Sequence, residues 1–345
     1  RITVSRLIVT PLTARPPGAR YPSTMTSRGS TTRRRVLSVA VSLLLFGGAV
    51  YVLQSQLRDH PLHEILVELR SFSPLRLVLS LAATVLGFLA LAGYDAVSLA
   101  ALGRRLPFRR IAYAAFLGYA FANSLPLSVV TGAAVRYRLY SQWGIERGDA
   151  ARVITLNTIT YVVGLLASAG LAFALQPVLV PGFLRLPLHT ARPLGFVCLA
   201  VVAAYLIWSA RSGGNLKLWR WELPHPSFRR ALAQIGVSFA DWVFSGAALY
   251  VLLPHRVPFH VFFAVFLLGQ MAGLVAQVPA GLGVFEAVML WGLTPALTTA
   301  SVLIGLVGYR LVYFLLPLTA AVAIWLVREG RRWYRRRNGT LRAAA

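Results

Sequence analysis

Residues 273–290 read GLVAQVPAGLGVFEAVML. An apolar run leads in through Gly269, Gln270 and Gly273, and another leads out through Val288, Met289, Leu290 and Trp291. Between them stand Gln277, Pro279, Gly281 and Gly283, with Glu286 just beyond. Proline lacks a backbone donor and glycine has little helix preference, so the spacing predicts a broken helix. Broken backbone at membrane depth is tolerated only where protein buries it or a wet cavity receives it. An ionisable group beside it is a functional hypothesis by default. For the break alone two readings stand: a kink between core helices, or the lining of a polar cavity.

The surrounding composition is that of a polytopic membrane protein. Hydrophobic residues make up 57% of the 345, charged residues only 13%, and the mean hydropathy is +0.66. Several apolar runs reach the roughly 20 residues that cross a bilayer. The net charge of +25, from 35 Lys+Arg against 10 Asp+Glu, would suit nucleic acid in a soluble protein. In a chain this apolar it points first to the positive-inside rule and to anionic headgroups, so no nucleic-acid partner is expected. The one cysteine, Cys198, excludes an internal disulfide. No phosphate-binding glycine loop, zinc pattern or nucleophile elbow occurs, so the chain is expected to hold no metal or cofactor and to be no enzyme. His60 and His63 beside Glu64 make a poor metal site.

In chain order, residues 1–35 read as a basic, disordered leader, with Met25 a candidate true start. Residues 36–53 read as an uncleaved span. Leu62, Ile65, Leu66, Leu69 and Phe72 fall on one helical face, which suits a short interfacial helix. Further spans are expected at 75–101, 153–175, 195–210, 231–253 and 297–326. Residues 111–130 are apolar but interrupted by Asn123, Ser124 and Pro126, and 259–293 carries the break described above. Residues 327–345 form a basic tail.

Charge parity fixes the topology. If 111–130 crossed once, Arg104, Arg105, Arg109 and Arg110 would lie opposite Arg136, Arg138, Arg147 and Arg152, against the positive-inside rule. If 111–130 enters, turns at Asn123–Pro126 and leaves on the same side, and 259–293 does so from the opposite face, every strongly basic segment faces the cytoplasm, both termini included. The expected fold is therefore an all-α polytopic membrane protein with about six full spans over 36–326 and two oppositely oriented re-entrant hairpins. The hairpins run Asn123, Pro126, Gly132, Arg136 and Gln277, Pro279, Gly281, Gly283, Glu286, a loose likeness compatible with an inverted repeat. Paired broken segments in two halves of a chain point to a transporter binding site.

Three stretches carry a family resemblance. GYAFANSLPLSVVTGAAVRYRLYSQWG from Gly118 to Gly144, GLVAQVPAGLGVFEAVML, and Tyr309 to Pro317 together resemble the lysylphosphatidylglycerol synthase transmembrane family, over roughly 36–326. Ala280 stands where that family often has glycine. The family includes the flippase portion of the multiple peptide resistance factor. The resemblance implies a cell-membrane transporter that moves aminoacylated phosphatidylglycerol, or a related phospholipid, between leaflets. Such movement contributes to surface charge and resistance to antimicrobial peptides. The alternative it implies is the transmembrane portion of a lysylphosphatidylglycerol synthase whose catalytic domain is absent from this chain. Partners implied are phospholipids and a separate synthase domain; a homo-oligomer is compatible with the sequence.

Arginine at mid-membrane costs about 2.5–3.5 kcal/mol on insertion scales, so Arg310 needs a partner or water. Glu286, Asp241 and Asp95 are the partners on offer. Two readings stand: a structural ion pair, or a lipid site in which Arg310 meets phosphate and the carboxylates Glu286 and Asp241 meet the ammonium of an aminoacyl headgroup. Arg136 and Arg138 diverge by about 200° on a helix and serve either as cytoplasmic anchors or as first contacts for a lipid phosphate. Asn123 and Gln270 complete the candidate lipid contacts; Gln270 and Asn157 are expected to hydrogen-bond between helices. Gly269 and Gly273 suit close helix packing.

Overall fold

A computed structural model describes residues 72–124, 128–176, 178–182, 189–211, 216–218, 221–276 and 283–342. The leader, the expected span at 36–53, nearly all of the interfacial helix, Pro126, Gln277, Pro279 and Gly281 lie outside the described residues.

Among the described residues ten α-helices follow one another: α1 (Pro74–Ala101), α2 (Phe108–Ser124), α3 (Ser128–Gln142), α4 (Arg147–Leu175), α5 (Arg192–Ala210), α6 (Phe228–Tyr250), α7 (Phe259–Ala276), α8 (Val284–Leu293), α9 (Thr299–Tyr309) and α10 (Leu316–Arg342). A π-helical turn, Arg310–Leu315, joins the last two. The structure adds one element to the all-α expectation. The loop expected at 211–230 contains a two-stranded antiparallel hairpin, β1 (Leu216–Leu218) and β2 (Trp221–Leu223).

Local sequence sets several boundaries. Ser73 caps α1, its hydroxyl accepting from the Arg76 amide, and Pro74 follows where a missing N–H costs nothing. Thr298 caps α9 by accepting from the Ser301 amide. Pro317 lies just past the π-helical turn; a proline nitrogen cannot complete the α-helical ladder, and a widened turn takes up the mismatch.

Among the described residues six helices are long and apolar enough to cross a membrane: α1, α4, α5, α6, α7 and the continuous run Thr299–Arg328. Five coincide with the expected spans. The sixth, α7, was expected as the entering arm of a broken hairpin, and its 18 residues suffice by length and composition. The chain is an all-α polytopic membrane protein apart from the small β-hairpin.

Contacts give the relative directions. α1 and α6 run antiparallel, joined by the Ser80 hydroxyl on the Ala248 carbonyl (2.7 Å) near one end and by Tyr94 and Ser238 (2.7 Å) nearer the other. α4 lies parallel to α6, with Thr160 on Gln234 (3.0 Å) and Tyr161 against Trp242. α2 and α3 fold back on each other: Gly132 abuts Gly118 and Ala122, and Tyr113 meets Trp143. α7 and α8 do the same, with Phe285 on Gly269 and Gly292 on Val265. The core is aromatic where α6–α9 meet, around Phe262, Phe266, Phe285 and Tyr309.

One end of the bundle gathers the basic segments. Arg104 donates through Nε to Asp149 (2.6 Å) and through NH2 to Glu146 (2.8 Å), so the loops flanking the α2–α3 pair meet. Arg110 lies over Trp143, and Arg328 of α10 over Tyr113. The start of α6 reaches the same end through its antiparallel partner α1. Pairs made by so exposed an arginine add little stability, so their value here is geometric. The α2–α3 pair is open at this basic end, whereas the α7–α8 pair follows the opposite end of α6.

Candidate functional site

Two ion pairs sit in the bundle, one on each folded-back helix pair. The first is Arg136 on α3 with Asp95 on α1. The guanidinium lies 3.8 Å from the carboxylate and stacks over the Tyr119 ring at 4.2 Å. Both residues are buried, Arg136 at 6% exposure and Asp95 at 0%. This corrects the anchor reading: Arg136 is no surface cation, and Asp95 partners it. The expectation placed 136–152 after the hairpin as a basic loop. The returning arm is instead Ser128–Gln142, with Arg136 inside it. The close approach that allows this is glycine-dependent: a Cβ at Gly118 would come within 2.7 Å of the Arg136 Cγ, and one at Gly132 within 2.7 Å of the Ala122 Cβ.

Asn157 of α4 donates to Asp95 and accepts from the Ser98 hydroxyl (2.7 Å), the inter-helix role expected of it. The first pair still holds unmatched atoms. Among the described residues, Arg136 Nε and NH1, Asp95 Oδ2 and the Tyr140 hydroxyl are buried without a hydrogen-bond partner. Buried polar atoms are seldom left so, and a polar ligand or water is what they suit. Arg138 points elsewhere, over the Trp325 ring at 5.0 Å, as the helical divergence predicted.

The second pair is Glu286 on α8 with Arg310 at the head of the π-helical turn. Arg310 donates through Nε to Glu286 Oε1 (3.0 Å) and again through NH2, and it stacks on Phe314. The other carboxylate oxygen, Oε2, accepts the Gly283 amide (2.8 Å) and caps α8. Gly283 itself sits at φ +82°, the left-handed region where a side chain is strained. Glu286 thus ties the start of α8 to the last span. The pair is less buried than the first, with side-chain exposures of 11% for Arg310 and 24% for Glu286.

Asp241 was expected as a third member beside Arg310 and Glu286. Its hydrogen bond comes instead from the Tyr94 hydroxyl of α1 (2.9 Å). Ser238, Asp241 and Ser245 form one stripe of α6. Ser245 meets the Tyr309 hydroxyl at 2.9 Å, next in sequence to Arg310. Tyr94 is likewise next to Asp95. Ring contacts and hydrogen bonds join Arg136 through Tyr119 and Tyr94 to Ser238 and Asp241, and Ser245, one turn along α6, meets Tyr309, so a polar row leads from the first ion pair toward the second. Asn123 and Gln270 are half-buried on α2 and α7. Tyr94 and Ser238 carry no signal in the sequence, because tyrosine and serine in apolar runs read as packing; Tyr119 and Tyr309 stand out only as members of the stretches of family resemblance. No group of His, Cys, Asp and Glu suited to a metal occurs among the described residues.

Comparison with known proteins bears on the family of the chain. The family profile described as "Lysylphosphatidylglycerol synthase TM region" matches residues 35–321. The Synechocystis protein slr0712 is 33% identical over 312 residues, covering 89% of this chain and 97% of that protein. The inner membrane protein YbhN of Escherichia coli is 29% identical over 305 residues, 88% of this chain and 95% of its own length. The phosphatidylglycerol lysyltransferase of Staphylococcus xylosus is 30% identical over only 92 residues, 26% of this chain and 11% of that enzyme. The matched profile is that of a membrane region, distinct from a lysyltransferase catalytic domain. The chain belongs to the lysylphosphatidylglycerol synthase transmembrane-region family.

Proposed function

We propose that this chain is the phospholipid-handling membrane module of a lysylphosphatidylglycerol synthase system, with aminoacyl transfer carried by a catalytic domain outside the matched region. The family profile and the partial likeness to phosphatidylglycerol lysyltransferases support this reading. The observation that carries it is Arg136, a buried guanidinium paired with Asp95 whose Nε and NH1 lack a hydrogen-bond partner among the described residues. A guanidinium fork suits the phosphate of phosphatidylglycerol or its aminoacyl derivative. The basic end faces the cytoplasm of a bacterial inner membrane, so lipid made there meets the α2–α3 mouth first.

A second reading, movement of lipid between leaflets, is favoured by one further observation. The two folded-back pairs open at opposite ends, and the polar row runs between their ion pairs. In that reading both pairs are re-entrant, and the ion pairs carry opposite senses, as in a loosely inverted repeat. On the first, the hairpin supplies the cation; on the second, it supplies the anion. A headgroup carrying phosphate and ammonium would meet both signs along the row. Exposure of such lipid outside would raise surface charge and resistance to cationic peptides.

The topology is tested by cysteine labelling in a Cys198→Ala background. Cysteines replacing the exposed Arg105 and Arg147 should react with an impermeant reagent only from the cytoplasmic side, and one replacing Arg256 only from the other. Labelling of positions 105 and 147 from opposite faces would remove the re-entrant α2–α3 pair. The function is tested by lipid analysis of each leaflet with and without the protein. Loss of total aminoacyl lipid supports the synthase-module reading. An unchanged total with a depleted outer leaflet supports movement between leaflets. No change in either contradicts both.

A further inference from the structure

Three carboxylates of the described spans face the polar row, and they are not equivalent. Asp95 has Arg136, and Glu286 has Arg310. Asp241 is 5% exposed and has no Lys, Arg or His within ion-pair distance among the described residues. Its one hydrogen-bond partner is a hydroxyl, Tyr94. An ionised carboxylate stripped of water and of any cation is strongly disfavoured, and the group takes a proton instead.

The neighbouring hydroxyls fit both forms of such a carboxyl. Tyr94 Oη lies 2.7 Å from Ser238 Oγ and 2.9 Å from Asp241 Oδ2, yet a phenol carries one proton and cannot donate along both contacts at once. With Asp241 ionised, Ser238 donates to Tyr94 and Tyr94 to Asp241. With Asp241 protonated, the chain reverses: the carboxyl donates to Tyr94, and Tyr94 to Ser238. Rotating two hydroxyls satisfies either state with no movement of the backbone. Neither ion pair has this property, because an arginine can only donate.

We infer that Asp241 is a proton-binding site, whose carboxyl takes up and releases a proton inside the folded protein. The step moves one proton between water and a carboxylate oxygen, making or breaking one O–H bond. Other titratable groups on the helices packed against α6 are Tyr94 and Asp95 of α1, Tyr161 of α4, Cys198 and Tyr205 of α5, His260 of α7, Tyr309 of α9, and Arg310 and Tyr313 of the π-helical turn, with Arg76, Arg147, Asp149, Arg152 and Arg192 confined to the first turns of α1, α4 and α5. The tyrosines and the cysteine are neutral near pH 7, Asp95 and Arg310 have opposite-charge partners, and His260 is exposed at the start of its helix. Under the leaflet-movement reading, on which this consequence alone rests, protonation at Asp241 would link lipid movement to the proton gradient.

Infrared difference spectra of the full-length protein in lipid, taken at about pH 5 and about pH 9, cover the range that buried carboxyls reach. The wild type should show a protonated-carboxyl band that disappears at the higher pH. Asp241→Asn, which is isosteric and neutral, should lack it. Tyr94→Phe keeps the carboxyl but removes its partner, so the band should persist at a shifted frequency, and this variant decides the matter if Asp241→Asn does not fold. A wild-type band that survives in Asp241→Asn, or is unmoved in Tyr94→Phe, would overturn the proposal. A companion assay follows lysylphosphatidylglycerol in phosphatidylglycerol vesicles with and without a pH gradient. Gradient dependence present in the wild type and lost in Asp241→Asn supports the coupling. No lipid movement in the wild type counts against the leaflet reading and leaves the infrared result to judge the proton site.

Discussion

Arg136→Leu is expected to deplete the protein. It leaves Asp95 fully buried beside Asn157 with no cation, and breaking a buried pair by removing one partner costs about 3–5 kcal/mol. Asp95→Leu should be as severe, since it strands the guanidinium over Tyr119 with its Nε and NH1 still unmatched. The informative variant is the double one, Asp95→Asn with Arg136→Met. Asparagine keeps a partner for Asn157, and methionine fills the arginine's path past Gly118 with an unbranched apolar chain. Abundance, read by immunoblot of membranes and by thermal melting in detergent, should return close to wild type, because a buried pair replaced by packed neutral groups is often no less stable. Aminoacyl-lipid handling should not return. Recovery of both would assign the pair to the fold alone.

Glu286 and Arg310 make the second large expectation, with a different pattern. Glu286 does two jobs, accepting from the Gly283 amide at the head of α8 and from Arg310. Glu286→Leu removes both, and loss of a capping acceptor alone costs about 0.5–2 kcal/mol. Glu286→Gln keeps an acceptor for the Gly283 amide and loses only the charge, so it should be clearly the more abundant of the two. Partial exposure makes the whole penalty smaller than at Arg136. Arg310→Leu should resemble Glu286→Gln in abundance, because the cap survives it. If the pair serves only stability, Glu286→Gln with Arg310→Leu, which keeps the cap, restores abundance and lipid handling together. If it contacts lipid, the double variant is abundant, correctly inserted and inactive.

The long spans were legible because an apolar run of about 20 residues has few alternatives to a membrane helix. α1, α4, α5, α6 and the last span follow their runs to within a few residues. Charge parity leads to the expectation that residues 103–110 and 136–152 share one face; Arg104 meets Glu146 and Asp149 at one end of the bundle, while Arg136 lies buried inside it. What failed was the length of the returning arm. Arg136, Arg138, Tyr137 and Tyr140 make α3 too polar to read as a bundle helix, yet the polarity is offset inside by Asp95, the Tyr119 face and the Trp325 face. A hydropathy argument sees the cost of each arginine and not the partner that a distant helix supplies.

The same limit governs the site. Glu286 with Arg310 could be named because each stands alone in an apolar run and the choices were few. Asp95 was offered to Arg310 and Asp241 to the same cluster, and only packing assigns them to Arg136 and Tyr94. The π-helical turn at Arg310 has one faint signal in the sequence, Pro317.

The central claim is that the two ion pairs handle lipid as well as hold the bundle together. Its most direct measurement uses purified protein in phosphatidylglycerol vesicles carrying lysylphosphatidylglycerol in the inner leaflet, with outward appearance of the lysyl amine followed by an impermeant amine reagent. The account predicts movement with the wild type, and none above protein-free vesicles with either neutral double variant at matched, correctly folded incorporation. Wild-type rates from both double variants would contradict it.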